Sequence, residues 1–518
     1  MSEPSGTGMG RQIRRTSVVV IAMFAALLVA ISIIQVGSAD DLRDDPRNRR
    51  TQLANQNVNR GPILVAGVPI AYSVPTDEEI AYQRVYANGP LYAPITGRYT
   101  LQGENTGLEA AYDDYLTAST GGQFFDQISA VFTGQKPQGA AVETTIDPEI
   151  QQAAWDALGD YQGAIVVLEP STGRVLAMVS KPSYDPNALA SHDTAAVDQT
   201  FDQLDQDPGK PLINRAMNGD LDPPGSTFKL VVASAALQSG KYSPDSAFPN
   251  PASLQLPQSS ATIANSNGGT CGGIGSATVT MSQAVIYSCN IPMAELAGEL
   301  TYVPIKDEAK AYGFCTGFDV ARVLEPIEYG CTPQDSLDLT PMYSTPSNYP
   351  AVLDAPQTML SGFGQSSVRA SPLQMAMVSA AIANQGVLME PSLVDSVIAP
   401  DQSTLVEIEP KTYGQPISAA TAQALTAMMV GNVDGGTGTA AQIEGVSVAG
   451  KTGTAENGVD ESGAALPYTL WFTGFAPAES PRAAVAVVVQ NGAGLGTEGT
   501  SAIAAAIGGQ VLRAVISQ

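Results

Sequence analysis

The most regular segment of the chain is an unbroken apolar run. Residues 17 to 36 read SVVVIAMFAALLVAISIIQV without a charge. As a helix rising ~1.5 Å per residue, this run spans roughly 30 Å, the hydrocarbon thickness of a bilayer. Arg11, Arg14 and Arg15 precede it. That bias predicts an uncleaved anchor over 17–37, with 1–16 as a cytoplasmic tail and the rest of the chain outside. A cleaved signal peptide has a shorter apolar stretch, about 7 to 15 residues, although Gly37-Ser38-Ala39 supplies the small residues that cleavage favours.

A charged stretch, DDLRDDPRNRR, fills 40–50. Residues 51 to about 140 mix short apolar runs with turns such as Ala87-Asn88-Gly89-Pro90, which predicts an irregular, strand-containing pedestal over 38–144. At Asp147-Pro148 the pattern changes. Aspartate as N-cap and proline in the first turn start a helix through IQQAAWDAL. GAIVVLEP and RVLAMVS, joined at Ser171-Thr172-Gly173, predict a β-hairpin. VSVAG, YTLWFTGFA and AAVAVVVQ predict three further strands, and 501–516 an apolar closing helix. The span 145–518 therefore reads as one α+β domain, an antiparallel sheet flanked by helices.

Composition narrows the chemistry. Among 518 residues there are 50 acids, 25 bases and one histidine, for a net charge of −25. A phosphate backbone is repelled by such a surface, so nucleic acid is not an expected partner. A histidine-rich metal site is excluded within one chain, and a Ser/His/Asp triad has only His192 to draw on. His192 lies in the polar stretch ASHDT and reads as an ordinary surface residue. A catalytic base is then a lysine or a carboxylate. The four cysteines suit an exported domain. They allow three pairings; short loops close most easily, which favours Cys271–Cys289 and Cys315–Cys331.

Three short motifs carry candidate chemistry. Pro223-Pro224-Gly225-Ser226-Thr227-Phe228-Lys229 opens an apolar helix. Positions i and i+3 share a helix face, so Lys229 can approach the Ser226 hydroxyl. It can take the proton only when neutral, which burial arranges by lowering its pKa. Ser288-Cys289-Asn290 follows the helical SQAVIY and offers a hydroxyl and a carboxamide at alternate positions. Lys451-Thr452-Gly453-Thr454 follows VSVAG; on an edge strand it would let a substrate backbone approach and would hold a carboxylate. Each motif alone is weak: surface pairs, helix caps and strand ends produce the same letters. Residues 431–439 (GNVDGGTGT) lack the phosphate-loop pattern and read as a mobile loop near the third motif.

Together and in this order, S-x-x-K, S-x-N and K-T-G resemble the active site of the penicillin-recognising serine enzymes. Lys181 to Asn187 (KPSYDPN), Asn214-Arg215-Ala216, Gly362-Phe363-Gly364-Gln365 and Ser371 to Ala376 resemble the family's flanking segments. DPRNRR and Arg60-Gly61-Pro62-Ile63 resemble the membrane-proximal region of class B penicillin-binding proteins. The resemblance implies a D,D-transpeptidase in which Ser226 attacks the D-Ala-D-Ala carbonyl of a stem peptide and Lys229 is its base. Ser288 relays the proton, Asn290 holds the peptide, and Lys451 supplies positive charge. Thr452, Gly453 and Thr454 bind the substrate, with the N–H groups of Ser226 and Thr454 as the oxyanion hole. It implies acylation by β-lactams, no metal or cofactor, and a SEDS-type membrane glycosyltransferase with division or elongation proteins as partners on lipid II-derived glycan. The same motifs serve D,D-carboxypeptidases and β-lactamases; the anchor and the pedestal favour the transpeptidase. Sixteen residues before the anchor leave little room for the signalling part of a penicillin sensor, and 40–140 is too short for a glycosyltransferase. A non-catalytic scaffold conflicts with intact Ser226, Lys229 and Lys451.

Overall fold

The computed structural model describes residues 7–34, 58–102, 105–119, 138–219, 221–329, 331 and 342–518. Helix α1 (Thr7–Ser32) contains residues 17–32 of the apolar run, and none of its stretch from Gln12 to Ser32 is buried against the rest of the protein. The charged stretch at 40–50 and the end of the expected anchor at 35–37 lie outside the described residues.

The pedestal contributes β1 (Ile63–Val65), β2 (Val68–Pro75), β3 (Tyr82–Tyr86) and β4 (Ala141–Thr144). Its polar centre is Glu109, fully buried between two guanidiniums. Arg60 Nε lies 2.6 Å from one carboxylate oxygen and Arg84 Nε 2.7 Å from the other. The Tyr86 hydroxyl donates to the same carboxylate at 3.1 Å. The Arg60-Gly61-Pro62-Ile63 segment is thus the start of a buried ion cluster.

Helix α2 (Pro148–Leu158) follows. Asp147 caps it, accepting from the N–H groups of Glu149 and Ile150. Strands β5 (Gly163–Leu168) and β6 (Val175–Lys181) form the expected hairpin. Further along the chain lie, among other helices, α3 (Lys229–Gln238), α4 (Met281–Ile286), α5 (Ile291–Leu300) and α6 (Pro372–Ala383). After β7 (Val394–Ile398), β8 (Thr404–Glu407) and α7 (Ala419–Gly435) come β9 (Ala449–Ala455), β10 (Thr469–Ala476), β11 (Ala483–Val489) and α8 (Ala502–Ser517).

Five strands form an antiparallel sheet in the order β9-β10-β11-β5-β6. Every residue of β5, β10 and β11 is buried. Successive side chains alternate between faces. Ile165, Val167, Val485 and Val487 pack with α2 and α8, while Val166, Leu168, Ala484 and Ala486 pack with α3, α5 and α6. Two apolar faces explain why AAVAVVV shows no polar alternation. The strand carrying the third motif is the edge, and it starts two residues before Lys451, so Lys451, Thr452 and Gly453 lie within it.

A second sheet has the order β8-β7-β4-β1-β2-β3. Its β7 and β8 come from the catalytic span; β7 pairs with the pedestal's β4, and β8 pairs with β7. Asn187, in the segment Lys181 to Asn187, exchanges two hydrogen bonds with the Tyr86 backbone and fastens the same seam. His192 sits there too: its Nδ1 is 2.6 Å from Glu78 and Nε2 3.2 Å from the Tyr82 carbonyl. It is a partnered seam residue with a side chain only 13% exposed, not the free surface histidine that the polar sequence suggested.

Replacing Glu109 by alanine leaves the buried Arg84 guanidinium without its carboxylate and Arg60 with Asp113 alone. The expected cost is about 3–5 kcal/mol to the pedestal, read as an earlier pedestal transition in thermal unfolding of the full chain.

Candidate active site

Ser226 lies on a short 3-10 turn, Gly225–Phe228, that runs directly into α3. The Trp471 indole pins the turn against the sheet by donating to the Pro223 carbonyl at 2.9 Å, and the Thr227 hydroxyl closes the turn on itself by donating to the Pro224 carbonyl at 2.7 Å. Two glycines permit this contact. A Cβ on Gly453 would lie 2.9 Å from Pro224 O, and one on Gly225, whose φ is +54°, would lie 2.8 Å from Thr454 O. The first and third motifs therefore meet backbone to backbone.

Ser288 adopts a left-handed conformation, φ 58°, unfavourable for a residue with a Cβ. Its surroundings impose it. Cys289, the middle residue of the motif, is bonded to Cys271. Asn265 Oδ1 accepts from the N–H groups of Asn290 (2.9 Å) and Ile291 (3.2 Å), capping α5 from a separate loop. The Cys271 N–H in turn donates to Asn250 at 2.7 Å. The second disulfide, Cys315–Cys331, completes the pairing favoured by loop length.

The two lysines converge on this turn, and both are fully buried. Lys229 Nζ donates to Ser288 O at 2.6 Å and to Asn290 Oδ1 at 3.0 Å, and lies 3.5 Å from Ser288 Oγ. The Asn290 amide nitrogen donates to Ala264 O at 3.0 Å, which turns its oxygen toward the lysine. Lys451 Nζ donates to Ser288 Oγ at 2.7 Å and to Thr452 O at 2.9 Å. Burial, reinforced by the neighbouring Lys451 charge, holds the Lys229 pKa well below its ordinary value. Burial also lowers Lys451, to about 7.

Chemically, a neutral Lys229 has two N–H bonds and one lone pair. Ser288 O and Asn290 Oδ1 occupy the two N–H groups, which leaves the lone pair to accept a proton. Among the described residues no hydrogen bond joins Ser226 Oγ to Lys229; the pair is related by the shared helical turn. The structure thus gathers Ser226, Lys229, Ser288, Asn290, Lys451, Thr452, Gly453 and Thr454 at one place. Among the described residues no cluster of His, Cys, Asp or Glu could hold a metal ion.

Comparison with known proteins shows the family. The model of the penicillin-binding protein transpeptidase domain matches residues 163–513, and that of the penicillin-binding protein A dimerisation domain matches 60–142. The chain belongs to the penicillin-binding protein transpeptidase family. It is 39% identical over 515 residues to the peptidoglycan D,D-transpeptidase PbpA of Mycolicibacterium smegmatis, covering 98% of this chain and 100% of that one. Identity to PbpA of Mycobacterium tuberculosis is 38% over 513 residues, with 98% and 99% coverage. The ceftriaxone acyl-enzyme complex of penicillin-binding protein A from M. tuberculosis superposes with a TM-score of 0.81 at 36% identity, covering 90% of this chain and 100% of that chain.

Two features of this family member were not read from the sequence. Asn265 looked like any loop asparagine, and its capping role depends on a fold-back of 25 residues. The glycine-rich segment 431–439 is not a free loop. Its first half is the last turn of α7, and Thr437 contacts Thr452 at 2.5 Å between hydroxyl oxygens.

Replacing Cys271 and Cys289 together by serine releases the second motif from its tether. Opening a bridge across 18 residues costs about 3 kcal/mol of stability by loop entropy. At a temperature where the variant stays folded, β-lactam acylation is expected to slow; unchanged acylation kinetics would remove the bridge from the site.

Proposed function

We propose that Ser226 is the acyl-accepting nucleophile of a membrane-anchored peptidoglycan D,D-transpeptidase that cross-links stem peptides. The observation that carries this reading is the Ser288 hydroxyl held by Lys451 at 2.7 Å and 3.5 Å from the Lys229 amine, which lies one turn from Ser226 and has a lowered pKa. Ser226 Oγ bonds to the carbonyl carbon of D-Ala-D-Ala while its proton passes to Lys229. The amide C–N bond breaks as Ser288 passes a proton to the departing D-alanine nitrogen and takes the proton held by Lys229 in its place. The amine of a second stem peptide then attacks the ester carbonyl, the C–O bond to Ser226 breaks, and the amine's surplus proton passes to Ser226 Oγ, forming the cross-link and restoring the serine. Asn290 holds the peptide, Lys451 and the hydroxyls of Thr452 and Thr454 receive the terminal carboxylate, and the N–H groups of Ser226 and Thr454 stabilise the oxyanion. β-Lactams acylate the same serine.

Helix α1 anchors the chain, residues 1–16 form a cytoplasmic tail, and the pedestal and catalytic parts stand outside the membrane. The arginines before the apolar run support this orientation. Glycan polymerisation falls to a partner, a SEDS-type membrane glycosyltransferase working with division or elongation proteins.

Fluorescent penicillin is expected to label the wild type and not Ser226→Ala; an unlabelled wild type contradicts the assignment, and rapid loss of label points to a β-lactamase. With lipid II and a partner polymerase, cross-linked product is expected; trimmed peptide alone marks a carboxypeptidase. The acylation rate has two limbs. Lys229 protonates as pH falls through its lowered pKa and can no longer take the serine proton, so the rate drops on the acid side. Lys451 loses its charge above about 7, so carboxylate capture weakens on the alkaline side. Stopped-flow acylation across pH reads both limbs.

A further inference from the structure

The segment Gly436-Thr437-Gly438 presents one side chain, and the fold closes tightly around it. A Cβ on Gly436 would lie 2.1 Å from Ile286 O, and one on Gly438 would lie 2.6 Å from Asn432 Oδ1. Only glycines fit on either side of Thr437. The turn is therefore pressed against both the end of α4, which leads into Ser288, and the last turn of α7. Thr437 itself is exposed, while its partner Thr452 is 2% exposed within the third motif.

The hydrogen bonds around it have a direction. Asn432, fully buried, places its amide group 2.6 Å from Ile286 O. A carbonyl only accepts, so the atom facing it is the Nδ2 donor. That nitrogen also donates to Thr437 Oγ1 at 2.9 Å. Thr437 Oγ1 and Thr452 Oγ1 are paired at 2.5 Å. Two hydroxyls joined by one hydrogen bond use one of their two protons on each other. Whichever way the shared proton points, one O–H is left to donate, and the Asn432 donor occupies acceptor capacity on the inner side. The pair is poised to give a hydrogen bond to an incoming anion.

We propose that Thr437 is a positioning residue for substrate recognition: it orients the Thr452 hydroxyl toward the C-terminal carboxylate of the donor stem peptide, and toward the equivalent carboxylate of β-lactams. Asn432 donates to both Thr437 Oγ1 and Ile286 O, so the arm that reads the carboxylate is tied to the element that leads into Ser288. This rests on the transpeptidase reading above, since it names a residue that serves the same acylation.

The test compares Thr437→Val, which keeps the shape and removes the hydroxyl, with Thr437→Ser, which keeps the hydroxyl. Each full-length variant in detergent is acylated with benzylpenicillin and with its methyl ester, which lacks the carboxylate. A hydrogen bond to a charged group accounts for roughly tenfold in affinity. Thr437→Val is expected to raise the half-saturating benzylpenicillin concentration about tenfold, with little change in the limiting acylation rate. Ester acylation is expected to stay at the wild-type value, and Thr437→Ser to recover most of the loss. An equal loss for acid and ester shows a merely structural role and overturns the proposal, as does Thr437→Val behaving like wild type with both compounds. Failure of the underlying reading appears separately, as absence of benzylpenicillin acylation in the wild type.

Discussion

Two lysine side chains buried together, sharing one serine hydroxyl, are the constraint on which the rest of the structure depends. An ammonium group taken out of water without a counter-ion is strongly disfavoured, and a second one beside it more so. Among the described residues neither Lys229 nor Lys451 has a carboxylate partner. The fold resolves the conflict by lowering both pKa values. A side chain that is ordinarily a cation becomes a base, and one histidine in 518 residues is no handicap.

Burying those lysines needs three separate pieces of chain at once. The 3-10 turn ahead of α3 is clamped to β9 and β10 by Trp471 and by the glycine contacts at Gly225 and Gly453. The Ser288 turn is held in an unfavourable backbone conformation by the Cys271–Cys289 bridge and by Asn265. Strand β9 is an edge, which brings Lys451 to the turn while leaving one side of the strand unpaired by the sheet. The doubly covered core of β10, β11 and β5 is the rigid base that makes such positioning stable.

Much of this was legible in the residues. The i, i+3 spacing of Ser226 and Lys229, the N-cap at Asp147, the β5–β6 hairpin and the apolar strands follow from local periodicity. The disulfide pairing follows from loop length. The three motifs gained meaning through their order. What local pattern does not encode is pairing between distant segments. Strands β7 and β8 join the pedestal sheet across some 250 residues of chain, so the pedestal and the catalytic part share a sheet that no window of sequence displays. The glycines around Thr437 read as a loop because glycine disfavours regular structure; here they are small because Ile286 O and Asn432 stand against them. His192 reads as solvent-facing because its neighbours are polar, while Glu78 and Tyr82 approach it from another segment.

The central claim is that burial beside Lys451 lowers the Lys229 pKa and so makes the amine available as a base. Its titration can be followed by NMR on protein carrying 13C at lysine Cε, with the resonance assigned by its loss in Lys229→Arg. The account predicts that the Lys229 signal leaves the ammonium position at a pH well below that of the exposed lysines. A Lys229 signal that stays at the ammonium position through pH 7 and titrates near the ordinary lysine value of about 10.4 would contradict it.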